Sequence, residues 1–178
     1  MKGFLIGIVT IILILALGLL FALMGFVSMR ADIPPSKMEA TLAGHALDAS
    51  VARAAPKLAN PVTADEANLV AGARLYRDHC ALCHGDPAHS KSPLADSFNP
   101  PPPQFMKDMA DMPENQNFYI VEHGIRWTAM PGWQNVLSEQ QVWQTVTFLS
   151  HMMHDLPPAA KQVFTETAPQ TQPPSGSH

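Results

Sequence analysis

A chain of 178 residues has room for one compact domain with appendages, since domains most often run to about 100–150 residues. Its formal net charge is −4, and it contains no basic run of the kind that binds nucleic acid. Between residues 63 and 155 five Lys and Arg stand against eleven Asp and Glu, so an electrostatically steered partner of that region must offer a positive or neutral face.

In chain order, Lys2 is followed by an uncharged apolar run from Phe4 to Met29. A helix of that length reaches about 39 Å, enough to cross a hydrocarbon core of about 30 Å. A secretory signal has an apolar region of about 7–15 residues and a small-x-small cleavage site. Here the run is longer, and Val27-Ser28-Met29-Arg30 puts bulky and charged residues where the site would fall. The reading is a retained transmembrane anchor over 3–29. Residues 30–62 are rich in Ala and Pro, partly helical from Met38 to Leu58, and read as a linker lifting a domain off the membrane.

Residues 63–155 hold the domain. Thr63 with Glu66 reads as a capping box opening a first helix through Leu69, Gly72, Leu75 and Tyr76 into Cys80. Ser138 with Gln141 opens a last helix. It places Val142, Val146 and Leu149 on one side, bordered by Trp143 and Phe148. Leu156-Pro157-Pro158 closes this helix, and 156–178 reads as a disordered tail. The intervening stretch is crowded with proline and shows no persuasive strand. So much irregular chain fits a compact domain only if something other than side chains fills the core.

Cys80-Ala81-Leu82-Cys83-His84 supplies that something. Two thiols at this spacing can bond the two vinyl groups of one haem, which places the adjacent His beneath the iron. The competing chemistries are a thiol redox pair, half a zinc site or a short disulfide. Zinc lacks a third Cys and properly spaced His ligands, and a redox module lacks the βαβ context. A sixth iron ligand is expected far along the chain, and Met suits an electron carrier. Met106, Met109 and Met112 lie in a polar stretch, and Met152 and Met153 read as packing residues. Met130 stands apart in Gly124-Ile125-Arg126-Trp127-Thr128-Ala129-Met130-Pro131-Gly132-Trp133, where Pro131 restricts it to an extended backbone.

Three pieces in order (Gly72-x-x-Leu75-Tyr76 leading into Cys80 to Gly85, Gly124 to Met130-Pro131-x-Trp133, and a final helix ending in Phe148-Leu149) resemble a class I c-type cytochrome, over about Asp65 to Leu149. The resemblance implies an all-α fold: a small cytochrome c domain wrapped around one covalently bound haem c, preceded by the transmembrane helix. It implies haem attachment through Cys80 and Cys83, with His84 and Met130 as the iron ligands. The first and last helices should cross near Gly72, against an aromatic of the last helix. A carbonyl of the Asn99 to Gln104 segment should accept a hydrogen bond from His84, with several prolines competing for the role. Arg126, Trp127 and Trp133 stand where propionate contacts are often found. Phe148 replaces the Tyr of many relatives.

Thioether attachment takes place on the outer side of a bacterial inner membrane, which orients the chain as single-pass with its domain in the periplasm. The expected function is single-electron transfer between periplasmic or membrane-bound redox partners, without catalysis by the chain alone. The alternatives are a haem c subunit of a larger respiratory oxidase or dehydrogenase, and a haem sensor or peroxidase-like protein with an open distal site. In that last case His123, His151 or His154 would matter.

Overall fold

The computed structural model describes residues 2–154 and 156–166 and divides the chain into two compact units, 1–30 and 31–178. The first unit carries α1, Lys2–Leu23, whose apolar side chains are exposed throughout. It is long and apolar enough to cross a membrane. Beyond Lys2 its Ile, Leu, Val and Phe are broken only by Gly, Ala and Thr10, which leaves no polar face to turn toward water.

The second unit contains α2 (Lys37–Ala54), α3 (Glu66–His79), the single turn α4 (Ala81–His84), α5 (Glu114–His123), α6 (Glu139–His151) and α7 (Pro158–Thr165), with a 3-10 turn at Ala95–Ser97. Among the described residues there is no strand, as expected for an all-α domain.

The centre of the unit is the pairing of α3 with α6. A Cβ on Gly72 would collide with the Gln144 carbonyl and lie 2.6 Å from Phe148 Cβ, so the crossing requires glycine here. This is the crossing expected from sequence, and Phe148 is the aromatic that approaches. The expected stripe on α6 proves too narrow: Val142, Trp143 and every residue from Thr145 to Leu149 are buried. The helix is covered from two sides. Tyr76, Ala73, Phe148, Leu149, Met152 and Phe164 pack on one, and Phe118, Val121, Val142, Trp143 and Val146 on the other. Phe118 and Trp143 stack with centroids 4.1 Å apart, which joins α5 to α6.

Caps follow the sequence at one end and depart from it at the other. Ser138 and Gln141 form the expected reciprocal box on α6. At α3 the N-cap is Asp65, not Thr63: its side chain accepts from the Asn68 N–H at 2.9 Å, while Thr63 Oγ1 donates to Asp65. A carboxylate at this position also interacts favourably with the helix dipole. The Asn68 N–H, followed by the Thr63 hydroxyl, holds the Asp65 carboxyl below the usual range.

Two segments differ from their sequence reading. Residues 30–62 are not a free tether. Ser36 and Glu39 cap α2 reciprocally, and Val51 and Ala55 are buried. Asn115 donates to the Pro56 carbonyl at 2.9 Å, and Asn99 donates to the Ile33 carbonyl at 2.8 Å. The expected disordered tail over 156–178 is likewise corrected for its described part. Pro157 and Pro158 do not end α6, which closes at His151; they open α7, where proline is favoured because its missing N–H is unneeded. Ala160 and Phe164 then bury against α3, with Phe164 edge-on to Tyr76 and Phe148. Arg77 Nη1 reaches Glu166 at 3.2 Å. The rest of the expected tail lies outside the described residues.

Phe164→Ala is expected to lower unfolding stability by about 3 kcal/mol, the scale for removing a buried aromatic. Denaturant melts of the full chain check it, and a change near zero would mean that α7 does not pack.

Candidate functional site

The Cys80 to His84 segment folds as one helical turn because α3 continues almost directly into it through Cys80, in a right-handed helical conformation. So short a helix leaves its last carbonyls without intrahelical donors. Each finds one outside. Leu82 O accepts from Ser92 Oγ at 2.5 Å, Cys83 O from Gln104 Nε2 at 3.0 Å, and His84 O from the Phe105 N–H at 3.1 Å. Gly85 O accepts from the Tyr76 hydroxyl at 2.7 Å. Tyr76 is fully buried, and burial pushes its phenol far above the ordinary value, so it stays a donor at any physiological pH.

His84 Nδ1 lies 2.9 Å from the Pro103 carbonyl. A carbonyl only accepts, so Nδ1 carries the proton and Nε2 keeps its lone pair. Among the competing prolines, Pro103 is therefore the partner. Phe105 lies flat against the imidazole, with centroids 4.6 Å apart and planes 6° apart. Burial lowers the His84 pKa, outweighing the Pro103 hydrogen bond that raises it, which favours the neutral, ligand-competent ring.

Cys80 and Cys83 are free thiols, so the disulfide alternative is not formed. Burial, reinforced by Cys83, pushes Cys80 up to about 12, and burial also raises Cys83. A thiol redox pair requires the opposite, a thiol pushed down toward neutrality.

Both thiols and His84 line a predominantly apolar cavity of about 410 Å³. Its walls include Pro100 to Pro103, Phe105, Ile120, Val121, Ile125, Leu149 and Leu47 of α2. Met130 and Trp133 also line it. Well-packed interiors hold few voids larger than a water molecule. An apolar void of this size beside two cysteines and a lone-pair imidazole has the lining and the donors that a haem requires.

The Met130 loop is fixed by its own backbone. Ile125 N–H donates to Met130 O at 3.1 Å, and Thr128 Oγ1 accepts from Met130 N–H at 3.1 Å while donating to Ile125 O at 2.8 Å. Gly124 turns the chain at φ 70°, and a Cβ there would lie 2.6 Å from both Met130 O and Gly132 N. Met109 and Met112 also line the cavity, a placement that their polar sequence context did not signal. Met109 is 42% exposed.

The remaining expected contacts separate. Trp133 reaches the cavity and packs 5.0 Å from the His79 ring. Arg126 and Trp127 do not line it: Trp127 is 90% exposed, with the Arg126 guanidinium 5.9 Å from its ring centroid. His123, His151 and His154 are likewise outside the cavity lining. His151 donates instead to the Thr147 carbonyl of its own helix, and His123 sits 3.3 Å from Glu122.

Residues 67–149 match the family described as cytochrome C oxidase, cbb3-type, subunit III. The match indicates a c-type cytochrome domain over that segment, in keeping with the class I single-haem resemblance. Neither the curated proteins nor the solved structures include a significant match.

Gly124→Ala is expected to destabilise the chain by roughly 1–3 kcal/mol, since it adds both a left-handed backbone penalty and a clash at the Met130 carbonyl. Urea unfolding midpoints of the variant and wild type check it.

Proposed function

We propose that the chain is a membrane-anchored, single-haem cytochrome c that carries single electrons between periplasmic or membrane-bound redox partners and is not an enzyme by itself. The observation that carries this reading is the convergence of Cys80, Cys83, His84 and Met130 on one apolar cavity. In this reading Cys80 and Cys83 hold the haem through thioethers, His84 Nε2 ligates the iron on one side and Met130 on the other. When bound, the haem supplies a reversible one-electron couple, which His/Met ligation places in the range used by carriers.

The chain's own residues hold that group still. Pro103 and Phe105 fix the imidazole ring from its edge and its face. Gly124, Ile125 and Thr128 fix the Met130 backbone on both its N–H and carbonyl sides, which favours Met130 over the more exposed Met109 as the distal ligand. The apolar walls exclude water. Trp133, at the cavity, remains the best placed of the three expected propionate contacts.

In the same reading α1 is the single-pass anchor in a bacterial inner membrane, with Lys2 on the cytoplasmic side and the cytochrome domain in the periplasm. Anchoring raises the effective concentration of the domain near membrane-bound donors and acceptors. A second reading, as the haem c subunit of a larger respiratory oxidase or dehydrogenase, is favoured by the family's own description.

The test is the optical spectrum of the matured, oxidised protein, inspected for the weak far-red sulfur-to-iron band. The band is expected in wild type and in Met109→Ala, and is expected to vanish in Met130→Ala with haem still attached and CO now binding the reduced form. A band that survives in Met130→Ala overturns the ligand assignment. A wild type that lacks the band and binds CO readily turns the reading toward sensing or catalysis.

A further inference from the structure

Gln104 makes three directed contacts with its side-chain amide. Oε1 accepts from the Ser92 N–H at 2.7 Å, and Nε2 donates to Cys83 O at 3.0 Å and to Pro102 O at 2.8 Å. Cys83 immediately precedes His84, and Pro102 immediately precedes Pro103. The amide thus bridges the two backbone segments that carry the donor and the acceptor of the His84–Pro103 bond, one residue upstream on each. Ser92, itself 3% exposed, closes the arrangement by donating its hydroxyl to Leu82 O.

The segment facing His84 has little other means of being held. Pro100 to Pro103 lack N–H groups, so their backbone cannot donate hydrogen bonds to the turn. Only their carbonyls are available, and a carbonyl needs a donor brought to it. A side-chain amide supplies two donors and one acceptor at once. A carboxylate would lose the donors, and Met would keep the approximate shape without any of the bonds.

We infer that Gln104 is a positioning residue: by bracing Cys83 and Pro102 it sets the His84 Nδ1–H···O=C Pro103 bond and, through it, the basicity of His84 as a haem ligand. This rests on the reading of His84 as the proximal ligand. A carbonyl accepting from the far nitrogen of a ligating imidazole raises the basicity of the near one. A firmer bond therefore stabilises the oxidised iron, and a looser bond raises the midpoint potential.

The experiment compares matured wild-type and Gln104→Met full-length chains by redox titration and by NMR exchange of the His84 Nδ1 proton. The expected result is an upward shift in midpoint potential with haem still attached, together with Nδ1 proton exchange faster by about tenfold, equivalent to one net hydrogen bond. An unchanged or lowered potential with unchanged exchange, in a variant whose haem is attached, overturns the positioning role while leaving the functional reading intact. A wild type that attaches no haem overturns the functional reading and this inference with it. Should Gln104→Met fail to mature, Gln104→Glu keeps the acceptor for Ser92 and removes both donors. Its proton exchange alone is then decisive, because the added charge moves the potential independently: faster exchange supports the role and unchanged exchange overturns it.

Discussion

Four consecutive carbonyls, from Leu82 to Gly85, stand at the end of a helical turn too short to satisfy them, and the architecture of the proximal side follows from supplying each with a donor. The donors come from Ser92, Gln104, Phe105 and Tyr76, residues spread over three parts of the chain. A buried carbonyl left without a partner costs of the order of 1–3 kcal/mol. The loop after Gly85 and the proline run are thereby held close to the turn. Their return path brings Pro103 to His84 and Phe105 to its face.

The cavity is the complement of that constraint. The helical residues bury their own side chains in two groups on either side of α6, and neither group fills the space between His84 and Met130. A core of this shape is incomplete without a flat apolar group. The proline-rich stretch serves it better than a helix would, because a wall of pyrrolidine rings presents apolar surface while demanding few backbone hydrogen bonds.

Much of this was legible in sequence where a residue type has a narrow set of uses. The C-x-x-C-H turn, the glycine at the helix crossing and the Ser138 cap are of that kind. The identity of the His84 acceptor was not, because four adjacent prolines offer four chemically equivalent carbonyls and only the folded path selects one. Gln104 carried no signal for a related reason: a glutamine amide is ordinarily a solvated group, and its value here lies in three partners remote from one another in sequence. α5 escaped notice inside a stretch read as irregular, and α7 was missed because Pro157-Pro158 serves equally as an end and as a beginning. Arg126 and Trp127 stand where the resemblance expects propionate contacts, but the tight turn that fixes Met130 directs Trp127 into solvent, with φ 60°. Met109 and Met112 reach the cavity because the chain between the proline run and α5 folds back over it, a path that no local pattern encodes.

The helix α2 contributes Leu47 to the cavity wall while resting on α5 through its buried C-terminal turn and through Asn115. Its docking and the filling of the cavity therefore share a contact, and two processes that share a favourable contact are thermodynamically linked. The free energy by which an occupied cavity strengthens the seating of α2 equals that by which seated α2 strengthens occupancy. A segment that looks in sequence like mere spacing is thus part of the cavity's own wall, and what loosens its seating also opens that wall.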